Sequence, residues 1–241
     1  MNRERSPFGI GIYTVSEATS LTGVSAARIK RWIAGYTFKT AKGERHRSKP
    51  VWTADFEPID GAIALSFKDM IEIRFVDSFL KAGVSWKELR DAASKAAELL
   101  DDTHPFSTYR FKTDGRTIFA EVGESLQQSK MLELTKNQYV FRNVIAPSLF
   151  EGLEYEGDEL RRWRPKQGNN LVVLDPHRSF GQPITDRNSI PTKVLAAAVA
   201  AEGDNSEQNV ARWYDVSVKE VSAAVSFEKS LDHKKTIRMA A

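Results

Sequence analysis

Apolar residues in the N-terminal part of the chain recur at intervals of three and four, which is the spacing of one helix face. Two short segments of this kind begin after Thr14 and after Ser25, and they end at Gly23 and Gly35. Thr14-x-x-Glu17 has the spacing of a capping box, and only about three residues separate the segments. The pattern predicts a helix-turn-helix. Its small core is expected to contain Val15, Ala18, Leu21, Val24, Ile29 and Ile33.

The stretch YTFKTAKGERHRSKPVW, residues 36–52, breaks this pattern. Two short runs flank a glycine turn and predict a β-hairpin, in which Pro50 fits only an edge position. Helical spacing then resumes and predicts a helix over about 66–82. A second capping box, Ser85-x-x-Glu88, begins a helix that runs to about residue 100.

The second half of the chain is more mixed. Asp114-Gly115 lies in an alternating stretch and predicts another hairpin. For residues 138–156 the pattern leaves the choice between helix and strand open. A basic loop is expected at LRRWRPK (160–166), a strand at 171–174 and a loop at 177–189. Three helices are expected at about 191–202, 206–214 and 217–231.

Charge is distributed unevenly along the 241 residues. The net charge is only +3, yet residues 25–50 contain eight Lys or Arg residues and a single acid, Glu44. The rest of the chain is therefore mildly acidic. Such asymmetry is typical of a protein with one surface for an anionic partner.

Little in the sequence favours catalysis. Cysteine is absent, and the four histidines (His46, His104, His177 and His233) lack ligand spacing, so they are expected at the surface. A phosphate-binding glycine loop is also absent. We therefore expect no enzyme activity, no cofactor and no metal. The N-terminus lacks a signal-peptide core and the longest apolar run, 194–201, is too short to span a membrane, which predicts a cytoplasmic protein.

The N-terminal segment YTVSEATSLTGVSAARIKRWI resembles the start of MerR-like transcription regulators, and KAGVSWKEL resembles their second helix pair. The family's Arg–aromatic–Tyr triplet is Lys30-Arg31-Trp32 here. The family's metal-binding cysteines and long coiled coil are missing. The resemblance implies a winged helix-turn-helix over residues 8–102.

The C-terminal segment resembles a helical module of antitoxin-type proteins. Asp175-Pro176, Gly181, Pro183, Tyr214 and Ala223-Ala224 fit its frame, whereas a Gly-Thr-Arg step is replaced by residues 187–189. A MerR-like head with this tail resembles VapB-type antitoxins, which implies a PIN-domain ribonuclease toxin as partner. The expected architecture is α+β and mostly α. It comprises the winged helix-turn-helix, a mixed connector (103–170), the helical module (171–232) and a tail (233–241).

The helix after Ser25 has the size and exposed N-terminal turn that suit a major groove. Arg28 is expected at a base edge, with Lys30 and Arg31 at phosphates. Trp32 is expected either to support the hairpin or lie along a DNA sugar, or to be buried in the core. The hairpin cations would contact the DNA backbone, although a solvated basic loop is the alternative. The expected DNA-binding residues are Ser25, Arg28, Lys30, Arg31, Trp32, Lys42, Arg45, Arg47 and Lys49.

Two basic segments are candidates for contact with the toxin, whose active site is implied to be rich in carboxylates. One is the loop with Arg161, Arg162 and Arg164. The other, which we favour, is the tail with Lys234, Lys235 and Arg238, expected to be disordered until bound. An ordinary frayed terminus is the alternative.

These features predict the antitoxin of a type II toxin–antitoxin pair, which neutralises a PIN-domain toxin and binds double-stranded operator DNA to repress its own operon. A homodimer is expected, because operators of this class are palindromic. The alternative is a stand-alone MerR-like regulator that responds to a small ligand.

Overall fold

The computed structural model describes residues 9–39, 43–112, 149–165, 170–203 and 206–239, with side chains through residue 232. Helices and antiparallel strands are both present, so the predicted α+β class is confirmed. The chain forms two compact units. The N-terminal unit takes residues 14–150 and 157–160, and the C-terminal unit takes 1–13, 151–156 and 161–241. The segment 103–170, predicted as one connector, is thus divided between them.

Both N-terminal helices are present as α1 (Val15–Thr22) and α2 (Ala26–Ala34). The Thr14 hydroxyl accepts a hydrogen bond from the Glu17 amide at 3.2 Å, and the Glu17 carboxylate accepts one from the Thr14 amide at 2.8 Å, which completes the predicted capping box. Gly23 ends α1 with φ +82°. The predicted core is mostly confirmed. Ala18, Leu21, Val24 and Ile29 are buried, whereas Val15 and Ile33 are half-buried.

The predicted hairpin follows as β2 (Tyr36–Lys39) and β3 (Arg45–Ser48), which pair antiparallel, with Pro50 beyond the paired residues. We call residues 36–48 the basic hairpin. Two-residue strands β1 (Tyr13–Thr14) and β4 (Ala64–Leu65) precede α1 and α3, respectively. Helices α3 (Phe67–Lys81) and α4 (Trp86–Leu100) begin at the capping boxes of Ser66 and Ser85.

Helix α3 is the centre of the N-terminal unit, since ten of its fifteen residues are buried on all sides of the helix. Aromatic rings pack around its second half. Phe106, on the short 3₁₀ helix Pro105–Ser107, lies 6.2 Å from Phe75 and 5.5 Å from Phe79 between ring centroids. Phe111 lies 5.2 Å from Phe106. This cluster ties the segment after α4 to α3.

A four-stranded sheet lies in the C-terminal unit, apart from the first two residues of β6. Its strands follow sequence order: β5 (Leu153–Glu156), β6 (Glu159–Trp163), β7 (Val172–Leu174) and β8 (Pro183–Thr185). β7 runs antiparallel to both β6 and β8. The loops predicted at 160–166 and 177–189 are therefore wrong in part, because the first contains most of β6 and the second contains β8.

Three helices complete this unit: α5 (Thr192–Ala201), α6 (Ser206–Trp213) and α7 (Val218–Met239). They bury a common core of Leu195, Val210, Ala211, Val221, Ala224 and Val225. Helix α7 continues beyond its predicted end near residue 231. The hairpin predicted at Asp114-Gly115 lies outside the described residues. Among the described helices, none has the length and apolar character needed to cross a membrane.

Candidate functional site

Helix α2 presents a polar face. Ser25 is exposed at its N-cap position and makes no capping hydrogen bond, and Ala27, Lys30 and Arg31 are also exposed. The Arg31 guanidinium lies 5.5 Å from the Tyr36 ring of the basic hairpin. Three of the predicted DNA-binding residues, Ser25, Lys30 and Arg31, therefore lie on the surface.

Arg28, which was predicted to contact a base edge, makes an ion pair within its own unit. Its Nη1 lies 2.8 Å from Oδ1 of Asp77 on α3, whose side chain is only 8% exposed. The Arg28 guanidinium also lies 4.9 Å from the centre of the Trp32 ring. Asp77 has a second cation, Lys81, at 2.7 Å. Arg28 thus joins α2 to α3, and reading a base would require it to leave a buried carboxylate.

Trp32 occupies the core, which was the other possibility left open by the sequence. It is 3% exposed, and its ring centroid lies 5.9 Å from that of Trp86. Its carbonyl accepts a hydrogen bond from the Val51 amide at 2.9 Å. Trp32 therefore supports the segment after the basic hairpin and is removed from the expected contact surface with DNA.

The register of the basic hairpin divides it into two faces. Thr37 pairs with Arg47 and Lys39 with Arg45, so these four side chains project from one face. All four are exposed. We call Lys39, Arg45 and Arg47 the cationic face. Lys49 is exposed just after β3, and Lys42 lies outside the described residues.

The opposite face of the hairpin is aromatic. Phe38 lies 5.8 Å from Tyr36 and 5.9 Å from His46 between ring centroids. At its base, the buried Ser48 accepts a hydrogen bond from Nη1 of Arg90 on α4 at 2.9 Å. The hairpin is therefore anchored to the body of its unit at one end.

Lys39 and Arg45 stand directly opposite each other, and like charges at such positions destabilise a hairpin. Within the described part of the chain, neither cation has a carboxylate within ion-pair distance; Glu44, the nearby acid, lies 3.4 Å from His46 instead. A partner rich in phosphate would relieve this repulsion. The cationic face therefore has the chemistry of a nucleic-acid backbone contact.

The predicted toxin-contact arginines are held in ion pairs. Arg162 and Arg164 both contact Glu154 on β5, and Arg164 also lies 2.7 Å from Asp186. Partial burial raises the pKa of Glu154, but the hydrogen bonds and positive charges of the two arginines together hold this pKa below its usual range. Arg161 lies 3.7 Å from Glu156 and 3.9 Å from the buried Asp175.

Arg162 and Arg164 therefore make ion pairs within the C-terminal unit. The sequence had predicted a basic loop at these positions. The other predicted cations, Lys234, Lys235 and Arg238, fall on the last turns of α7, although their side chains lie outside the described residues. The tail predicted as a separate segment is thus continuous with the last helix.

A cluster of buried titratable groups lies beside α3 in the N-terminal unit. Asp69 is fully buried, and its Oδ1 lies 2.7 Å from Trp52 Nε1 and 3.0 Å from His104 Nε2. Its Oδ2 accepts hydrogen bonds from the backbone amides of Ser66 at 2.9 Å and Asp55 at 3.3 Å. Each carboxylate oxygen therefore already has two partners, which is its usual capacity.

Asp55, Asp69 and His104 are close enough to hold a cation between them. However, the hydrogen bonds of Asp69 account for its burial without an ion. Burial raises the pKa of Asp69, but the hydrogen bond and charge of His104, with the hydrogen bonds from Ser66 and Trp52, together lower it below its usual value. Burial lowers the pKa of His104, but the hydrogen bond to Asp69 and the negative charges of Asp69, Glu72 and Asp55 together raise it above its usual value. We interpret the cluster as a structural ion pair.

The chain is similar to known proteins both in sequence and in fold. No protein-family model matches the chain. The chain is 25% identical over 193 residues to a Mycobacterium tuberculosis protein named "Putative antitoxin VapB45", an alignment that covers 76% of this chain and 80% of the relative. The crystal structure of Rv2018 from Mycobacterium tuberculosis has a TM-score of 0.68 and 21% identity, with 90% of this chain and 99% of that chain covered. The second likeness concerns the fold alone.

Sequence reasoning missed the cluster around Asp69. His104 was expected at the surface, but it is 1% exposed. One signal was available: Asp69 and Glu72 interrupt an otherwise apolar helical run, and a buried acid requires a partner. The sequence does not show that the partner follows 35 residues later.

Proposed function

We propose that this protein is the antitoxin of a type II toxin–antitoxin pair. In this proposal, the N-terminal unit binds operator DNA and represses the operon, and the C-terminal unit neutralises a PIN-domain ribonuclease. The similarity to a mycobacterial protein named as an antitoxin supports the general role. The resemblance to VapB-type antitoxins supports the PIN-domain partner.

The observation that carries the DNA-binding half is the cationic face of the basic hairpin. In the proposed complex, α1 and α2 form a MerR-like helix-turn-helix and the hairpin is its wing. Helix α2 enters the major groove, and its exposed residues Ser25, Lys30 and Arg31 face the DNA. Lys39, Arg45 and Arg47 contact phosphates, where charge matters more than base identity. A homodimer would place two such units on a palindromic operator.

The toxin-binding half rests on the end of α7. Because Arg162 and Arg164 already neutralise Glu154 and Asp186, their use against a toxin would break an internal network. Lys234, Lys235 and Arg238 are the better candidates for an acidic ribonuclease site. Carboxylates that bind a divalent metal would attract such cations.

The DNA proposal is tested by an Arg45→Gln/Arg47→Gln variant, with Lys95→Gln/Lys193→Gln as a charge-matched control at exposed positions outside the hairpin. Fluorescence anisotropy with DNA from upstream of the gene, at several salt concentrations, measures affinity. We expect roughly tenfold weaker binding and a slope of log K against log salt reduced by about 2, since each phosphate contact contributes about 0.9. An unchanged slope would contradict the wing assignment.

The toxin proposal is tested by affinity purification of the full chain from its native host, followed by mass spectrometry. A stoichiometric PIN-domain protein is expected, whereas co-purified DNA without such a protein would favour the stand-alone regulator. A chain truncated after Leu231 should then inhibit the ribonuclease at least tenfold less well than the full chain. Full inhibition by the truncated chain would exclude the end of α7 as the contact.

A further inference from the structure

A groove runs along the N-terminal unit between the segment that follows the basic hairpin and helix α4. It has a volume of about 650 Å³, and residues 49–53 form one wall. Residues on one side of α4 form the other wall, and Thr103 and Pro105 also line the groove. This volume is within the range of small-molecule sites, about 300–1,000 Å³.

The lining of the groove combines buried apolar residues with cations. Val51, Ala93 and Pro105 are its buried apolar residues. Three cations line the groove (Lys49, Lys87 and Arg90), against one acid, Asp91. The excess of positive charge favours a ligand that carries negative charge on an apolar body.

Arg90 is the most informative residue of this groove. Its Nη1 donates to Ser48 Oγ, but its Nε is buried and has no hydrogen-bond partner in the described part of the chain. The Arg90 guanidinium nevertheless lines the groove together with the Lys87 side chain. A carboxylate, sulfonate or phosphate oxygen in the groove would gain a charge-assisted hydrogen bond from one of these two cations.

We propose that this groove binds a small organic anion, with its charged group at Arg90 and Lys87 and its apolar body over Val51 and Ala93. Nothing in this inference depends on antitoxin activity. It does place a ligand beside Ser48, the last residue of β3, and beside Val51, whose amide is bonded to Trp32. A ligand bound in the groove would therefore stabilise the position of the base of the basic hairpin.

The test uses 8-anilinonaphthalene-1-sulfonate as the probe and N-phenyl-1-naphthylamine as its matched neutral analogue. Fluorescence titration of the full chain without DNA measures both affinities. We expect the sulfonate to bind with one-to-one stoichiometry and the neutral analogue to bind roughly tenfold more weakly, as the loss of a charge-assisted bond implies. Equal affinity for the two probes would overturn the assignment of an anion site.

Variants locate the site. Lys87→Gln/Arg90→Gln should weaken sulfonate binding roughly tenfold or more, whereas Lys95→Gln, on the same helix but outside the groove, should leave it unchanged. Ser94→Trp fills the groove from an exposed position, so it should block binding while circular dichroism shows an unchanged fold. Amide chemical-shift changes are expected in residues 49–53 and 87–97. Shifts confined to other residues, or equal binding by all variants, would refute the proposal.

Discussion

Glu72 offers the most direct test of the buried cluster beside α3. The side chain is buried, and its Oε1 accepts a hydrogen bond from the Ser107 amide at 2.9 Å. Burial raises the pKa of Glu72 to about 8, although His104 and the Ser107 amide act in the opposite direction. The folded chain therefore holds a proton on Glu72 at neutral pH, whereas the unfolded chain has lost it.

The sign of the effect follows from proton linkage. A carboxyl group whose pKa is raised on folding binds more protons in the folded state, so the free energy of unfolding falls as pH rises from its unfolded pKa toward its folded one. With values of 4.5 unfolded and about 8 folded, Glu72 should cost about 3 kcal/mol of stability between pH 5 and pH 8. The raised pKa of His104 acts in the same direction, because its contribution is present below pH 6.5 and declines as pH rises.

The substitution Glu72→Gln separates the contribution of Glu72 to the pH dependence from that of His104. The amide keeps an acceptor for the Ser107 amide and cannot ionise, so the variant should lose much of the decline in stability between pH 5 and pH 8. Urea unfolding monitored by tryptophan fluorescence at half-unit pH intervals provides the measurement. Glu98→Gln is the control, since Glu98 is an exposed partner of Lys95 on α4. An identical pH slope in wild type and Glu72→Gln would refute the reasoning.

Two further predictions concern the junctions of the N-terminal unit. Gly35→Ala would place a Cβ 2.2 Å from the Ser48 carbonyl oxygen at φ +69°, so we expect a loss of about 2 kcal/mol by thermal unfolding together with weaker DNA binding. Gly43→Ala has a similar φ of +82° but open space around it, and equal losses in both variants would show that the close approach is unimportant. Arg28→Met should lower the free energy of unfolding, measured in urea, by about 1–2 kcal/mol. The double variant Asp77→Asn/Arg28→Met should lower it by less. If the double variant instead loses the sum of the Arg28→Met and Asp77→Asn effects, the two side chains are not coupled.

The N-terminal helices could be predicted because their signals are local. Thr14 and Glu17, or Ser85 and Glu88, identify a helix start from residues three positions apart, and the same residues form the hydrogen bonds in the structure. The end of α1 at Gly23 is equally local. A rule that depends on one turn of helix can be read from the sequence alone.

Strand β6 could not be predicted in the same way. Its buried residues are Leu160 and Trp163, so its inward positions do not alternate. The strand exists because it pairs with β7 and because Arg162 contacts Glu154 on β5. The sequence pattern left residues 138–156 undecided between helix and strand, so it offered no partner for β6. The arginine-rich run was therefore predicted to be a solvated loop. The burial of His104 also depends on a partner that local pattern does not reveal, since its ring contacts Asp69 on α3, 35 residues earlier in the chain.

Two kinds of arginine occur in the described part of the chain, those paired with a carboxylate of their own unit and those exposed without such a pair. Composition alone does not distinguish them. Arg28 and Arg164 are partly buried against carboxylates of their own units, and they stabilise the fold. Arg45 and Arg47 are exposed, and no described carboxylate lies within ion-pair distance of either. An arginine that already has an internal acid gives up that pair when it contacts a nucleic acid, whereas an exposed arginine gives up only water and counterions. The candidate DNA surface is therefore narrower than the basic segment 25–50. It centres on one face of the hairpin, and Arg31 of α2 contacts the hairpin at Tyr36.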